Sequence, residues 1–125
     1  MNFKPILMAT VICMAVCSSA ESANKPLDKE FLDFWSGFKG ALTKNDKEAL
    51  ASMTKLPYVL EEKKLNRASF IAQSEKIFPA ATRKCLLKEK PVADKDSVFV
   101  FCGEAIFVFA KDNGKYKFTE IGVND

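Results

Sequence analysis

The stretch from Ser97 to Gly122, SVFVFCGEAIFVFAKDNGKYKFTEIG, leaves this chain the least choice of fold. Val98–Cys102 and Ala105–Ala110 are runs of β-branched and aromatic residues, which suit a pleated, packed surface. Asn113-Gly114 separates the second run from a third. Asn-Gly is the strongest short hairpin signal because it tolerates positive φ, and Asp112-Asn113-Gly114-Lys115 allows a loop of roughly two to four residues. Cys102 and Gly103 mark the earlier turn. The expectation is an antiparallel meander, with everything upstream serving as its cover.

Successive side chains of a strand point to opposite faces. In Tyr116–Glu120 this puts Tyr116, Phe118 and Glu120 on one side and Lys117 and Thr119 on the other. The first two runs are apolar on both faces: Phe99 and Phe101 oppose Val98 and Val100, and Ile106 and Val108 oppose Phe107 and Phe109. A sheet with one wet face should alternate, so continuous runs imply cover on both sides. One face can take the helices. The other needs a second helix layer, an enclosed pocket or a partner chain, and Phe99, Phe101, Phe107 and Phe109 are the candidate binding residues.

A length of 125 residues points to one domain. The net charge of +3 is too small, and its positive residues too scattered, to argue for nucleic acid. There is no histidine, which removes the commonest general base and the commonest metal ligand. Neither a cofactor nor a metal is expected.

The first 20 residues read as a secretory signal peptide. Lys4 supplies the positive start, Pro5–Val16 the apolar stretch, and Ser18-Ser19-Ala20 a small-residue cleavage site, with cutting after Ala20 or Ala23. The apolar run falls short of the roughly 20 residues that a membrane span needs. A rival reading takes Met14-Ala15-Val16-Cys17 as a lipobox, which would make Cys17 a lipid anchor. The expected location is periplasmic or secreted. The exported chain then keeps Cys85 and Cys102, which in an oxidising compartment read as one structural disulfide rather than two free thiols.

The mature domain, residues 24–125, opens with an amphipathic helix carrying Leu27, Phe31, Phe34, Trp35, Phe38, Ala41 and Leu42 on one face. Asn45-Asp46 breaks that pattern and caps a shorter helix from Lys47 to about Thr54, before Pro57. Tyr58–Leu60 suggests a short strand and Glu61–Lys64 a solvated turn. A third helix runs from near Asn66 to Phe78. Ala80–Lys90 suits helix or strand equally, and Pro91–Asp96 reads as a loop, leaving the strand count before Ser97 open. The fold class is α+β, with N-terminal helices packed on a curved C-terminal antiparallel sheet.

Several of these features together resemble the nuclear transport factor 2-like group, the cystatin-like α+β cone. They are Phe38-x-x-Ala41, Asp46-x-x-x-Leu50, Lys55-Leu56-Pro57, Phe70 with Ile77-Phe78, and the run from Phe101 to Gly122. The chain looks most like small secreted bacterial members with no assigned activity. The resemblance implies a sheet curled around the long helix, with a pocket at its open end. In enzymes of that fold an Asp or Glu stands inside the cone with Tyr or His, so it also implies Glu120 or Glu104 as general base and Tyr116 as donor. Two functions follow. One is a non-enzymatic binding domain that uses the apolar sheet face, for a homodimer or an envelope protein, or the cone pocket, for a small apolar ligand. The other is a minimal cone-fold enzyme. Solvated positions for Glu104 and Glu120 would favour the first.

Overall fold

The computed structural model describes residues 26–123, so the proposed signal peptide, its cleavage positions and Cys17 lie outside the described residues. Helix α1, Lys29–Lys44, begins where Asp28 can cap it: its Oδ1 accepts from the Phe31 N–H at 2.7 Å. The helix ends at Asn45, whose φ of 52° is the left-handed turn that asparagine accepts cheaply. Phe31, Trp35, Phe38, Ala41 and Leu42 are buried along one stripe, as the 3.6-residue period dictates.

Asp46 caps α2, Lys47–Ser52, through the Ala49 N–H. That helix stops short of Thr54 because residues 53–55 are drawn onto the sheet. The Phe118 N–H donates to the Met53 carbonyl and the Lys55 N–H to the Phe118 carbonyl, both at 2.8 Å. Strands β1, Tyr58–Leu60, and β2, Lys63–Leu65, form a hairpin. Its two-residue turn is Glu61-Glu62, with φ of 51° and 69°, so the expected four-residue turn is half turn and half strand. The third helix breaks at Gln73 into α3, Arg67–Ala72, and α4, Ser74–Ile77. A capping box between Asn66 and Ser69 starts α3. The ambiguous stretch resolves as α5, Ala80–Lys88, which turns Leu86 fully into the core.

The main sheet is an antiparallel meander in the order β3 (Val92–Asp94), β4 (Ser97–Cys102), β5 (Ala105–Asp112) and β6 (Lys115–Val123). The helices precede it, and the arrangement is α+β. The expected loop at Pro91–Asp96 contains β3, because Val92 and Ala93 find partners in Phe99 and Val98 and the chain reverses at Lys95, φ 56°. The Asn113-Gly114 turn has φ of 54° and 81°, as its sequence predicts.

A second difference matters more. Phe109 pairs with Phe118, but Val108 pairs with Glu120, which leaves Thr119 as an extra residue on β6. Such a bulge shifts the side-chain alternation by one. Tyr116 and Phe118 face the helices, whereas Glu120 points the other way and Ile121 takes the inner position beside Phe107. The expected shared face of Tyr116, Phe118 and Glu120 is therefore broken at Thr119.

On the inner face Val98, Val100, Phe107, Phe109 and Phe118 pack against Phe31, Trp35, Phe38 and Phe78. Aromatic rings fill this interior, with Phe38 and Phe109 5.2 Å apart and Phe78 and Phe118 5.1 Å apart between centroids. The Cys85–Cys102 disulfide joins α5 to the end of β4.

Candidate functional site: the outer sheet face

Strand register orders the other face of the sheet into rows. Val92, Phe99, Val108 and Glu120 form one row across the four strands. Asp94, Ser97, Ala110 and Lys117 form the row on one side of it, and Phe101, Ile106 and Gly122 the row on the other. The centre of the face is apolar, with Asp94 at its β3 edge and Lys117 and Glu120 at its β6 edge. Val92, Phe99, Phe101, Ile106 and Val108 are all outside the core cluster. Phe101 is 42% exposed, and its ring centroid lies 6.4 Å from that of Phe99. The bulge is closed from this side by the Thr119 hydroxyl, which donates to the Val108 carbonyl at 3.1 Å.

Of the four candidate phenylalanines, Phe99 and Phe101 lie together on this face. Phe107 and Phe109 lie on the opposite one, 2% and 0% exposed, where they hold the helices rather than meet a partner. Alternation separates these pairs within each strand. Which pair meets solvent depends on where α1 packs, and no single strand encodes that.

The polar candidates are dispersed. Glu104 sits in the exposed Gly103-Glu104 turn, where Gly103 has φ 64°. Glu120 is exposed at the β6 edge and lines a shallow groove with Lys55, Pro57, Tyr58 and Val59. Tyr116 is at the other end of β5 from Glu104 and on the opposite face from Glu120. Its hydroxyl donates to Asp28 Oδ2 at 3.0 Å, and its ring stands edge-on to Phe31 at 5.2 Å. One carboxylate thus caps α1 with one oxygen and holds β6 with the other. The sequence signal for this was present, since an Asp just before an amphipathic run marks a helix start. Its second partner was not visible. Lys111 completes the corner, 3.0 Å from Glu30 Oε1 and 5.5 Å above the Tyr116 ring.

Burial pushes the Tyr116 phenol up to about 12, aided by its hydrogen bond to Asp28 and by the nearby charges of Asp28, Glu30 and Asp96. Burial likewise pushes Tyr58 up to about 12, with the field of Glu120 as the smaller cause. Phenols held this far above neutrality keep their protons. Tyr116 serves as a fixed donor to Asp28 and is poorly placed for proton transfer.

These are the chain's two tyrosines, which makes the effect measurable. An unfolded phenol ionises near pH 10 and these folded ones near 12. The phenols' contribution to stability is therefore complete below about pH 10 and is lost as pH rises from about 10 to about 12. Absorbance titration should show little tyrosinate at pH 10 in the folded protein and about half ionisation there in denaturant. Asp28→Asn should lower the midpoint of one phenol and leave the other. A native midpoint near 10 for both would contradict the buried position of Tyr58 and the Tyr116–Asp28 hydrogen bond.

Among the described residues no three acidic or cysteine side chains gather to hold a metal ion. No helix among them is long and apolar enough to cross a membrane. No family model, curated protein or solved structure matches the chain.

Proposed function

We propose that this chain is an exported, non-enzymatic binding domain that engages another protein through the outer face of its sheet. The carrying observation is the apolar centre of that face, partly exposed among the described residues, with Phe101 at 42% exposure beside Phe99. Contiguous apolar surface rimmed by polar residues marks interaction sites. The signal-like first 20 residues support export to the periplasm or beyond, and a bridged Cys85–Cys102 pair suits that compartment. The resemblance to small secreted members of the nuclear transport factor 2-like group belongs to the same proposal.

The scattered positions of Glu104, Tyr116 and Glu120 weigh against a cone-fold enzyme. A general base and its donor must come within hydrogen-bond reach of a common substrate. The aromatic interior of Phe38, Phe78, Phe107, Phe109 and Phe118 supports the same preference.

The test compares F99S/F101S and Glu120→Gln variants by crosslinking in the cells that make the protein. The phenylalanine variant should fold normally and lose at least about tenfold of its crosslinked product, since aromatic anchors dominate such surfaces. Glu120→Gln should behave as wild type. Undiminished crosslinking in F99S/F101S, or loss confined to Glu120→Gln, would sink the reading.

A further inference from the structure

We infer that Cys85 is a thiol-exchange site, where a small carboxylate-bearing thiol entering a groove over α5 displaces Cys102 and forms a mixed disulfide. The groove has a volume of about 670 Å³ and is lined by Ala81, Lys84, Cys85, Leu87, Lys88 and Glu89. Helix geometry explains why it opens here. Side chains of a helix lean toward its N-terminus, so the space over Cys85 belongs to the preceding turn. Ala81, four residues earlier on the same face, has only a methyl group to cover that space.

The two bridged sulfurs differ in access. Cys102 packs against the buried core, whereas Cys85 takes no part in that packing and lines the groove. Thiol–disulfide exchange begins with attack of a thiolate on one of the two sulfurs. The incoming and departing sulfurs stand on opposite sides of the one attacked, so a thiolate in the groove meets Cys85 with Cys102 behind it. A new S–S bond to Cys85 forms, the Cys85–Cys102 bond breaks, and its electron pair leaves with Cys102, whose thiolate takes a proton from water. The incoming thiol is oxidised to the mixed disulfide and Cys102 is reduced. Helix α5 stays docked through the step: Leu86 is fully buried, and Arg83 is bonded to Glu75 and to the Phe78 carbonyl.

Charge selects the thiol. Lys84 and Lys88 bring two ammoniums to the groove against the single carboxylate of Glu89. Arg83 on the same helix is engaged elsewhere, 3.0 Å from Glu75 Oε1. In water a unit charge about 7 Å away changes the local concentration of an oppositely charged ion by about threefold. The two ammoniums together therefore favour an anionic thiolate by about tenfold at low salt, and less as salt screens them. The exposed Leu87 offers the carbon chain of the thiol an apolar contact.

The test uses the protein purified without reductant from the cells that make it, with glutathione as the probe under native conditions. After an acid quench and alkylation, peptide masses should place glutathione on Cys85 and the alkyl label on Cys102. Per thiolate, glutathione should react about tenfold more slowly with a Lys84→Gln/Lys88→Gln variant at low salt. Cysteamine, whose ammonium offsets its thiolate, should change by less than about twofold. Added salt should slow glutathione with the wild type and leave the variant nearly unaffected. Glutathione found on Cys102 overturns the inference, and so does a variant whose two thiols change alike or not at all. A wild-type reaction no faster than global unfolding overturns it as well, because the groove then admits no thiol. A protein recovered with two free thiols has no bridge to exchange and overturns it outright.

Discussion

Phe118→Ala should cost about 3–5 kcal/mol, the range for deleting a fully buried aromatic ring. Domains of this size hold only about 5–15 kcal/mol in reserve, so the variant should lose a large share of its stability. Phe118 is wholly buried where four other parts of the chain converge on β6. Its ring meets Phe38 of α1, Phe78 just after α4, Tyr58 of β1 and Phe109 of β5, at centroid distances of 5.1 to 6.3 Å. Its backbone holds the Met53–Lys55 segment through both an N–H and a carbonyl. Those two bonds survive truncation, so the lining cannot collapse into the space freely and the cavity term stays large. Urea unfolding should show a much lower midpoint with little change in slope. Phe101→Ala, on the outer face of the same sheet, should move stability by no more than about 0.5 kcal/mol. A loss below about 1 kcal/mol in Phe118→Ala would mean that this ring is not the junction of helices and sheet.

The contrast between these two phenylalanines shows what the sequence encodes locally. Helix α1 was legible because its apolar residues recur at helical spacing and Asp28 precedes them. The β5–β6 hairpin was legible because Asn113-Gly114 suits only a few backbone conformations. Strand β3 was not, since Val92-Ala93-Asp94 is short, follows Pro91 and becomes a strand only by pairing with β4. Lys63-Lys64 looked like a solvated turn for a similar reason: β2 exists through its pairing with β1. The bulge at Thr119 has no local signature. It lies directly after Phe118, whose backbone is engaged by a segment more than 60 residues away in sequence, and it reverses the side on which Glu120 stands. The apolar character of the candidate site could thus be read from β4 and β5 separately. Its membership needed the register between them, which sets Phe99 beside Val108 and leaves Phe109 to the core.

Removing the Cys85–Cys102 bridge should lower the unfolding free energy by about 3 kcal/mol, the chain-entropy expectation for a loop of this length. The residues are 17 apart in sequence and their Cα atoms 6.0 Å apart, ordinary spacing for a bridged pair. The native arrangement should outlast the bridge because α5 has other anchors. Leu86 is fully buried. Arg83 Nη1 donates to Glu75 Oε1 at 3.0 Å and to the Phe78 carbonyl at 2.7 Å. The effect should therefore fall mainly on the unfolded chain, which gains freedom once residues 85–102 are no longer closed into a loop. A Cys85→Ala/Cys102→Ala variant should keep the wild-type circular dichroism spectrum. Its urea midpoint should be lower and its slope steeper, because a more open unfolded chain exposes more surface. Reducing the wild-type protein should reproduce the shift. If the variant instead loses helical signal before unfolding, the bridge holds α5 directly. If the midpoint does not move and intact mass shows two free thiols, the pair is not oxidised in the protein as made, and the argument for an oxidising compartment loses its structural support.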